Sequence, residues 1–147
     1  MPTIATDPKI LGARYNKAFN AHDEVTLKGL YAENAKFLAP GDVRLSGRDA
    51  IIGYTSNWMK AVPDAKINVT NEIVNAPWLV QEFTFSGVHT GPLTGPMGVI
   101  QATNRKVTGQ CVSVNRFEND LIVESRLYFD MVQVLTQVGV MPVSTKN

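Results

Sequence analysis

Apolar positions recur at helical spacing in the first part of the chain and alternate in the remainder. Leu11, Tyr15, Ala18, Phe19 and His22 fall on one side of a predicted helix, because residues three and four apart share a face. Thr6-Asp7-Pro8 supplies its start. Asp7 can accept from free N–H groups, and Pro8 stands where a missing donor costs nothing. Asp23 reads as a second cap, followed by Val25, Leu27, Leu30 and Tyr31 on a short helix. Asn34–Ala39 is extended in character, and Pro40-Gly41-Asp42 turns the chain. A third helix runs from Arg48 with Ile51, Tyr54, Trp58 and Val62 in register, until Pro63 and Asp64 end it.

The character then changes. "AKINVTNEIV", "WLVQEFTFSGVH", "VTGQCVSVNRFEND" and "LIVESRLYFDMV" are rich in β-branched and aromatic residues, with turns at Asn75-Ala76-Pro77 and Glu118-Asn119-Asp120. The third and fourth stretches form a predicted hairpin, and "VQVLTQVG" a short final helix ending at Gly139. Helices first and a meandering antiparallel sheet afterwards give the α+β class, with the helices packed on one face of the sheet.

Composition narrows the function classes. A chain of 147 residues fits one domain, 1–147 with its core at about 8–141, and is long enough to bury a core without staples. Net charge is +1, and Lys and Arg are scattered singly, which gives no footprint for nucleic acid. The lone Cys111 excludes an internal disulfide and fits a reducing cytoplasm. No apolar run approaches the ~18 residues that span a bilayer, and no charged-then-apolar leader follows Met1. Asn68-Val69-Thr70 matches a glycosylation sequon, read as chance without a secretion signal. The expectation is a cytoplasmic protein with no membrane and no nucleic-acid partner. His22 and His89 lie in unrelated segments with no carboxylate cluster at ligand spacing, which argues against a metal. No Gly-rich motif precedes a helix to cradle a phosphate or dinucleotide. Cys111 has no His or basic neighbour in sequence to make it a nucleophile.

One segment carries two readings. In "IVESRLYFDM" alternation puts Glu124, Arg126, Tyr128 and Asp130 on one face and Val123, Ser125, Leu127, Phe129 and Met131 on the other. An ordinary half-exposed strand turns the apolar set inward and the charges to water. A strongly bent sheet instead places Tyr128 and Asp130 in a concave pocket. Leu127, Phe129 and Met131 then form a convex apolar patch that another subunit should cover, giving a homodimer or homotetramer. Periodicity does not choose between them.

"GRDAIIGYTSNWMKAVPDA", "FSGVHTGPLTG" and "YFDMVQVLTQVG" together resemble the SnoaL-like polyketide cyclase family, within the nuclear transport factor 2-like superfamily of cone-shaped α+β domains. The likeness runs from about Leu11 to Gly139. Its more specific parts are Val88-His89-Thr90-Gly91-Pro92-Leu93 and Tyr128-Phe129-Asp130 followed by Gln137-Val138-Gly139. It departs from the family pattern at Thr103-Asn104-Arg105, where many members read Thr-Gly-Arg, and at Val138 in place of Leu. The resemblance implies a cofactor-independent enzyme that closes a ring of a polyketide ester by intramolecular aldol condensation, with Asp130 as acid/base. It also puts His89 near the same pocket. The family is broad and includes relatives involved in hydroxylation.

Aldol closure needs a base beside a carbonyl, a donor for the enolate, and later a proton for the new alkoxide. A solvated Asp, with a pKa of about 3.9, is a weak base for a carbon acid. Burial raises it, because desolvation disfavours the charged form. Candidate donors are His89 as a neutral imidazole, Tyr15, Tyr54 and Asn57, and Tyr128 shares a face with Asp130. Phe19, Tyr54, Trp58, Phe83 and Phe85 suit a flat polycyclic ligand and equally suit a plain core, with Trp58 and Phe83 the preferred pocket walls. The competing readings are a hydrolase, such as an epoxide hydrolase on the same fold using Arg126 and a second carboxylate, and a non-catalytic binding or dimerisation domain. His22 is read as structural.

Overall fold

The computed structural model describes residues 4–95 and 98–141. Its elements run α1 (Pro8–Asn20), α2 (Glu24–Gly29), β1 (Tyr31–Ala39), β2 (Val43–Ser46), α3 (Arg48–Ala61), β3 (Lys66–Asn75), β4 (Trp78–Val88), β5 (Leu93–Gly95), β6 (Gly98–Ile100), β7 (Lys106–Glu118), β8 (Leu121–Tyr128) and α4 (Met131–Gln137). The caps read from the sequence are made. Asp7 accepts from Lys9 N–H, and Asp23 accepts from both the N–H and the hydroxyl of Thr26. Tyr31 opens β1 instead of closing the second helix. The short β2, paired back on β1 across the Pro40-Gly41-Asp42 turn, and the small β5–β6 ribbon are additions to the expected elements.

Six strands form one sheet in the order β2-β1-β8-β7-β4-β3. The sheet is α+β as expected but not wholly antiparallel, because β1 and β8 run parallel. Such a pair cannot be joined by a tight turn and needs a long crossover. Here the whole of α3 through β7 lies between the two strands. The β7–β8 hairpin forms as expected. Register breaks between Val69 and Asn71, Tyr31 and Lys36, and Arg116 and Phe117 mark irregularities in three of the ladders. Bulges of this kind sharpen twist and bend a sheet. The sheet curls far enough for residues of β1, β3, β4, β7 and β8 to line one cavity.

The helices cover the concave side and leave two cores flanking that cavity. Leu11, Ile51, Leu79, Phe37 and Ile122 form one core; Phe19, Leu27, Met59, Val62 and Ile67 form the other. Among the described residues no helix is long and apolar enough to cross a membrane.

Candidate active-site cavity

Alternation along each strand decides what the cavity wall is made of. β4 turns Gln81, Phe83 and Phe85 inward, while β7 contributes Gly109, Cys111, Ser113 and Asn115. β8 adds Ser125 and Leu127. From the helix layer come Tyr15, Asn16 and Phe19 of α1, and Tyr54, Thr55 and Trp58 of α3. The space between the lining atoms is about 970 Å³, with the open mouth and the solvent in it included. Trp58 meets the rings of Phe85 and Phe129 edge-on, with centroids 6.0 and 5.7 Å away. The wall near the mouth is therefore aromatic.

The side chains of β8 take the ordinary arrangement. Leu127 and Phe129 line the cavity, whereas Tyr128 is about half exposed on the opposite, convex face. The placement of Tyr128 in the pocket is thus corrected, as is that of Leu127 and Phe129 on a convex patch. Of the apolar residues invoked for a homo-oligomer, Leu127 and Phe129 form cavity wall. The convex face instead carries Glu124, Arg116 and Arg126, both guanidinium groups lying within 6 Å of the Trp78 ring centroid.

Asp130 nevertheless reaches the cavity, because β8 ends at Tyr128 and alternation ends with it. The residue sits at the rim with Gln133, exposed, and its carboxylate accepts the N–H of Gln133 as the N-cap of α4. Burial of its carboxyl, expected as the means of strengthening the base, is absent. Packing fixes the position of α4. Val134 and Val138 bury against Val107, and the Gln137 side-chain carbonyl accepts Thr108 N–H at 2.9 Å. Gly139, at φ +80°, closes the helix with Gly139 N–H to Thr136 and Val140 N–H to Leu135, the paired bonds of a Schellman cap. The Gln137-Val138-Gly139 block therefore anchors the helix that Asp130 caps.

Among the described residues Asp130 is the one charged side chain in the lining. Burial pushes the Cys111 thiol up to about 11 and the Tyr54 hydroxyl up to about 12, so both are neutral near pH 7. Burial likewise raises Tyr15 and, still more, Tyr31, whose hydroxyls lie within hydrogen-bonding reach of each other. Thr55 stands beside the first and Ser125 beside the second. The interior is thus neutral, lined by aromatic rings and hydroxyl and amide groups, with one carboxylate at its edge.

The family model for SnoaL-like polyketide cyclases matches residues 9–138. The chain belongs to this family. A comparison with curated proteins gives no match. Among solved structures the chain is similar to AclR, a proposed hydroxylase from Streptomyces galilaeus, at 22% identity and a TM-score of 0.80, over 94% of this chain and 84% of that one. It is similar to IdmH, a proposed polyketide cyclase from Streptomyces antibioticus, at 24% identity and a TM-score of 0.75, over 92% and 100%. A proposed SnoaL-like polyketide cyclase from Jannaschia sp. CCS1 superposes with a TM-score of 0.82 at 15% identity, over 97% and 99%. At these identities the likeness to solved structures shows the fold alone.

In this SnoaL-like chain the expected site residues separate into two groups. Tyr15, Phe19, Tyr54, Trp58, Phe83 and Asp130 all line the cavity. His89 and Asn57 do not. Asn57 spends its amide on β5, donating to Thr94 carbonyl and accepting Thr94 N–H. His89 shares its strand face with Phe83 and Phe85, but the end of α3 intervenes. A Cβ at Gly87 would lie 2.2 Å from Val62 Cγ1, so the chain there presses directly on the helix terminus. Beyond that seal His89 is buried. Its Nδ1 accepts Thr103 N–H at 3.3 Å and lies 2.9 Å from Thr103 Oγ1, which leaves the ring proton on Nε2. Burial lowers its pKa, opposed by the Gly91 backbone. The Thr103-Asn104-Arg105 departure belongs to this same cluster: Asn104 sits at φ +58°, a conformation Asn tolerates better than most residues. His22, as read, is structural and bonds Ala65 carbonyl through Nε2.

Sequence reasoning missed Tyr31, Gln81, Ser113, Asn115, Ser125 and Gln133, all of which line the cavity. One signal was available. On β7 the face Gly109-Cys111-Ser113-Asn115 is small or polar, while Val112 and Val114 are on the other. A central strand with small polar residues on its inward side leaves space that a core would fill. Among the described residues no three His, Cys, Asp or Glu side chains come together to hold a metal.

Proposed function

We propose that this chain catalyses cofactor-independent acid/base chemistry, an intramolecular aldol ring closure or a related enolisation, on a hydrophobic carbonyl-rich small molecule. The observation that carries the reading is that, among the described residues, Asp130 is the one carboxylate at the edge of an otherwise uncharged aromatic cavity, in a chain of the SnoaL-like family. Asp130 takes the proton from the carbon next to a carbonyl, leaving an enolate. The enolate carbon forms the new bond to a second carbonyl carbon of the same molecule. The resulting alkoxide takes the proton back from Asp130, so the ring-closing step is an isomerisation with no net loss of atoms.

The cavity's geometry supports this reading. Bound substrate covers the rim and excludes water from the carboxylate of Asp130. Carbons flanked by two carbonyls are acidic enough for a modest base, and holding both reacting ends in one cavity supplies much of the rate. The buried Tyr54 hydroxyl is a neutral donor for developing enolate charge. Arg126, required by the hydrolase reading, lies over Trp78 on the convex face, and no observation favours that reading.

The test is Asp130→Asn, assayed with carbonyl-containing polyketide esters. Turnover disappears while ligand binding stays; a fully active variant would overturn the assignment.

A further inference from the structure

The end of the cavity farthest from Asp130 has its own chemistry. Asn115 and Ser125 face each other across β7 and β8 at the closed end, 8% and 5% exposed, and Tyr31 is buried beside them. Val112 pairs with Tyr128, so Asp130 leaves the sheet close to the level of Gln110, with which it shares the rim. Five residues of extended strand separate that level from Asn115, roughly 17 Å at ~3.4 Å per residue. A ligand filling the cavity is therefore elongated, with its reacting carbon at one end and a remote group at the other.

One polar atom at this end of the wall, Asn115 Oδ1, is buried without a partner among the described residues. An unmet buried acceptor is destabilising, since it loses its bonds to water and gains none, and a polar interior lined for packing alone avoids it. Asn115 Oδ1 lacks a donor. No charged side chain lines this end among the described residues, so a carboxylate or ammonium there would be desolvated without a counter-charge. The remaining choice is a neutral donor.

We infer that the closed end is a recognition subsite for an uncharged hydroxyl group on the substrate, with Asn115 Oδ1 accepting its proton. This rests on the reading of the cavity as a substrate site and narrows the substrate class. The ligand is an elongated apolar skeleton, with a carbonyl-activated carbon at Asp130 and an alcohol or phenol at the far end. Asn115 is a specificity residue; it touches the remote hydroxyl and takes no part in proton transfer.

A matched pair of probes isolates that hydroxyl: 2-(hydroxymethyl)anthraquinone and 2-methylanthraquinone. Binding is read as quenching of Trp58, which lines the cavity, in a Trp78→Phe background, since Trp78 lies outside it. The parent binds the hydroxylated probe about 10-fold tighter, as sites built around a hydroxyl reject analogues without one. Asn115→Leu brings the two affinities together by weakening only the hydroxylated probe. Asn115→Ala repeats the measurement without added bulk if the Leu variant does not fold. Equal affinities in the parent, a preference surviving in both variants, or no quenching by either probe each overturns the inference. Asp130→Asn, measured alongside, keeps the preference; failure of the base assignment appears only as retained turnover in that variant.

Discussion

β4 and β8 end alike on paper and differently in space. β4 carries Phe83 and Phe85 on its inward face and β8 runs straight into the inward Phe129, and a titratable side chain follows just past each strand, His89 in one case and Asp130 in the other. β4 runs beneath the end of α3, and Thr90 and Gly91 N–H both donate to Ala61 carbonyl. His89 is thereby locked on the far side of Val62, within a loop closed by its N–H to Arg105 carbonyl and by Asn104 N–H to its own carbonyl. β8 instead runs directly into the N-terminus of α4, which Asp130 caps. A titratable group at a strand end becomes part of a site or part of the frame according to which side of the covering helix it emerges on.

The sharpest way to break this comparison is to neutralise each side chain in turn. Asp130→Asn is expected to lower kcat by about 10²–10⁴-fold, the usual worth of a positioned acid/base, with the melting temperature changed little. His89→Gln is expected to leave kcat within a few-fold and to lower stability. The reverse pattern, seen in steady-state kinetics beside thermal melts, would exchange the two roles.

Gly91→Ala attacks the lock itself. Its Cβ would sit 1.9 Å from Lys60 carbonyl oxygen, and overpacking of this kind costs about 1–3 kcal/mol. Urea unfolding with a midpoint equal to the parent would show that the loop is not held against α3. Turnover per folded molecule should fall far less than in Asp130→Asn.

A smaller effect is read from pH. His89 is held neutral in the fold, its pKa lowered by burial, whereas the unfolded ring takes up a proton near pH 6.5. Its contribution is fully present above that value and is lost as pH falls below it, since the unfolded state then binds the extra proton. Melting temperature should drop between about pH 7.5 and 5.5, and His89→Gln should flatten the curve in that window. Asp23 and Asp120, held low by bonds from Thr26 and Thr6, give up their contributions only at more acidic pH. A parent curve no steeper than the variant's would remove His89 from the buried frame.

Smallest is the response of the cavity wall to alkylation. Burial pushes Cys111 up to about 11, so almost no thiolate exists at neutral pH and iodoacetamide should label the native chain far more slowly than the urea-unfolded one. Equal rates would show a wall open to solvent at β7.

The helices and strands were legible because each follows a period or a cap: Asp7-Pro8 and Asp23 start helices, and the β7–β8 turn falls at Glu118–Asp120. The short β2, β5 and β6 were not, since three or four residues carry too little alternation to stand out from a loop. His89 was drawn into the site by the family resemblance and Asn57 as a candidate donor, and nothing local records that Val62 seals one and Thr94 occupies the other. Asn115 was passed over because one Asn in a strand says little alone; its signal is the small or polar alternation Gly109-Cys111-Ser113-Asn115, legible only when the whole strand face is read together.

By itself, then, the sequence determined the α+β class, the order of the main elements, the family resemblance and Asp130 as the residue to watch. It also split "IVESRLYFDM" into two faces without saying which turned inward. Only the tertiary structure decided that, because alternation fixes relative orientation while the curl of the sheet and the helices laid over it fix what is inside. The same curl carried Asp130 to the rim despite the face it shares with Tyr128, since alternation stops where the strand does.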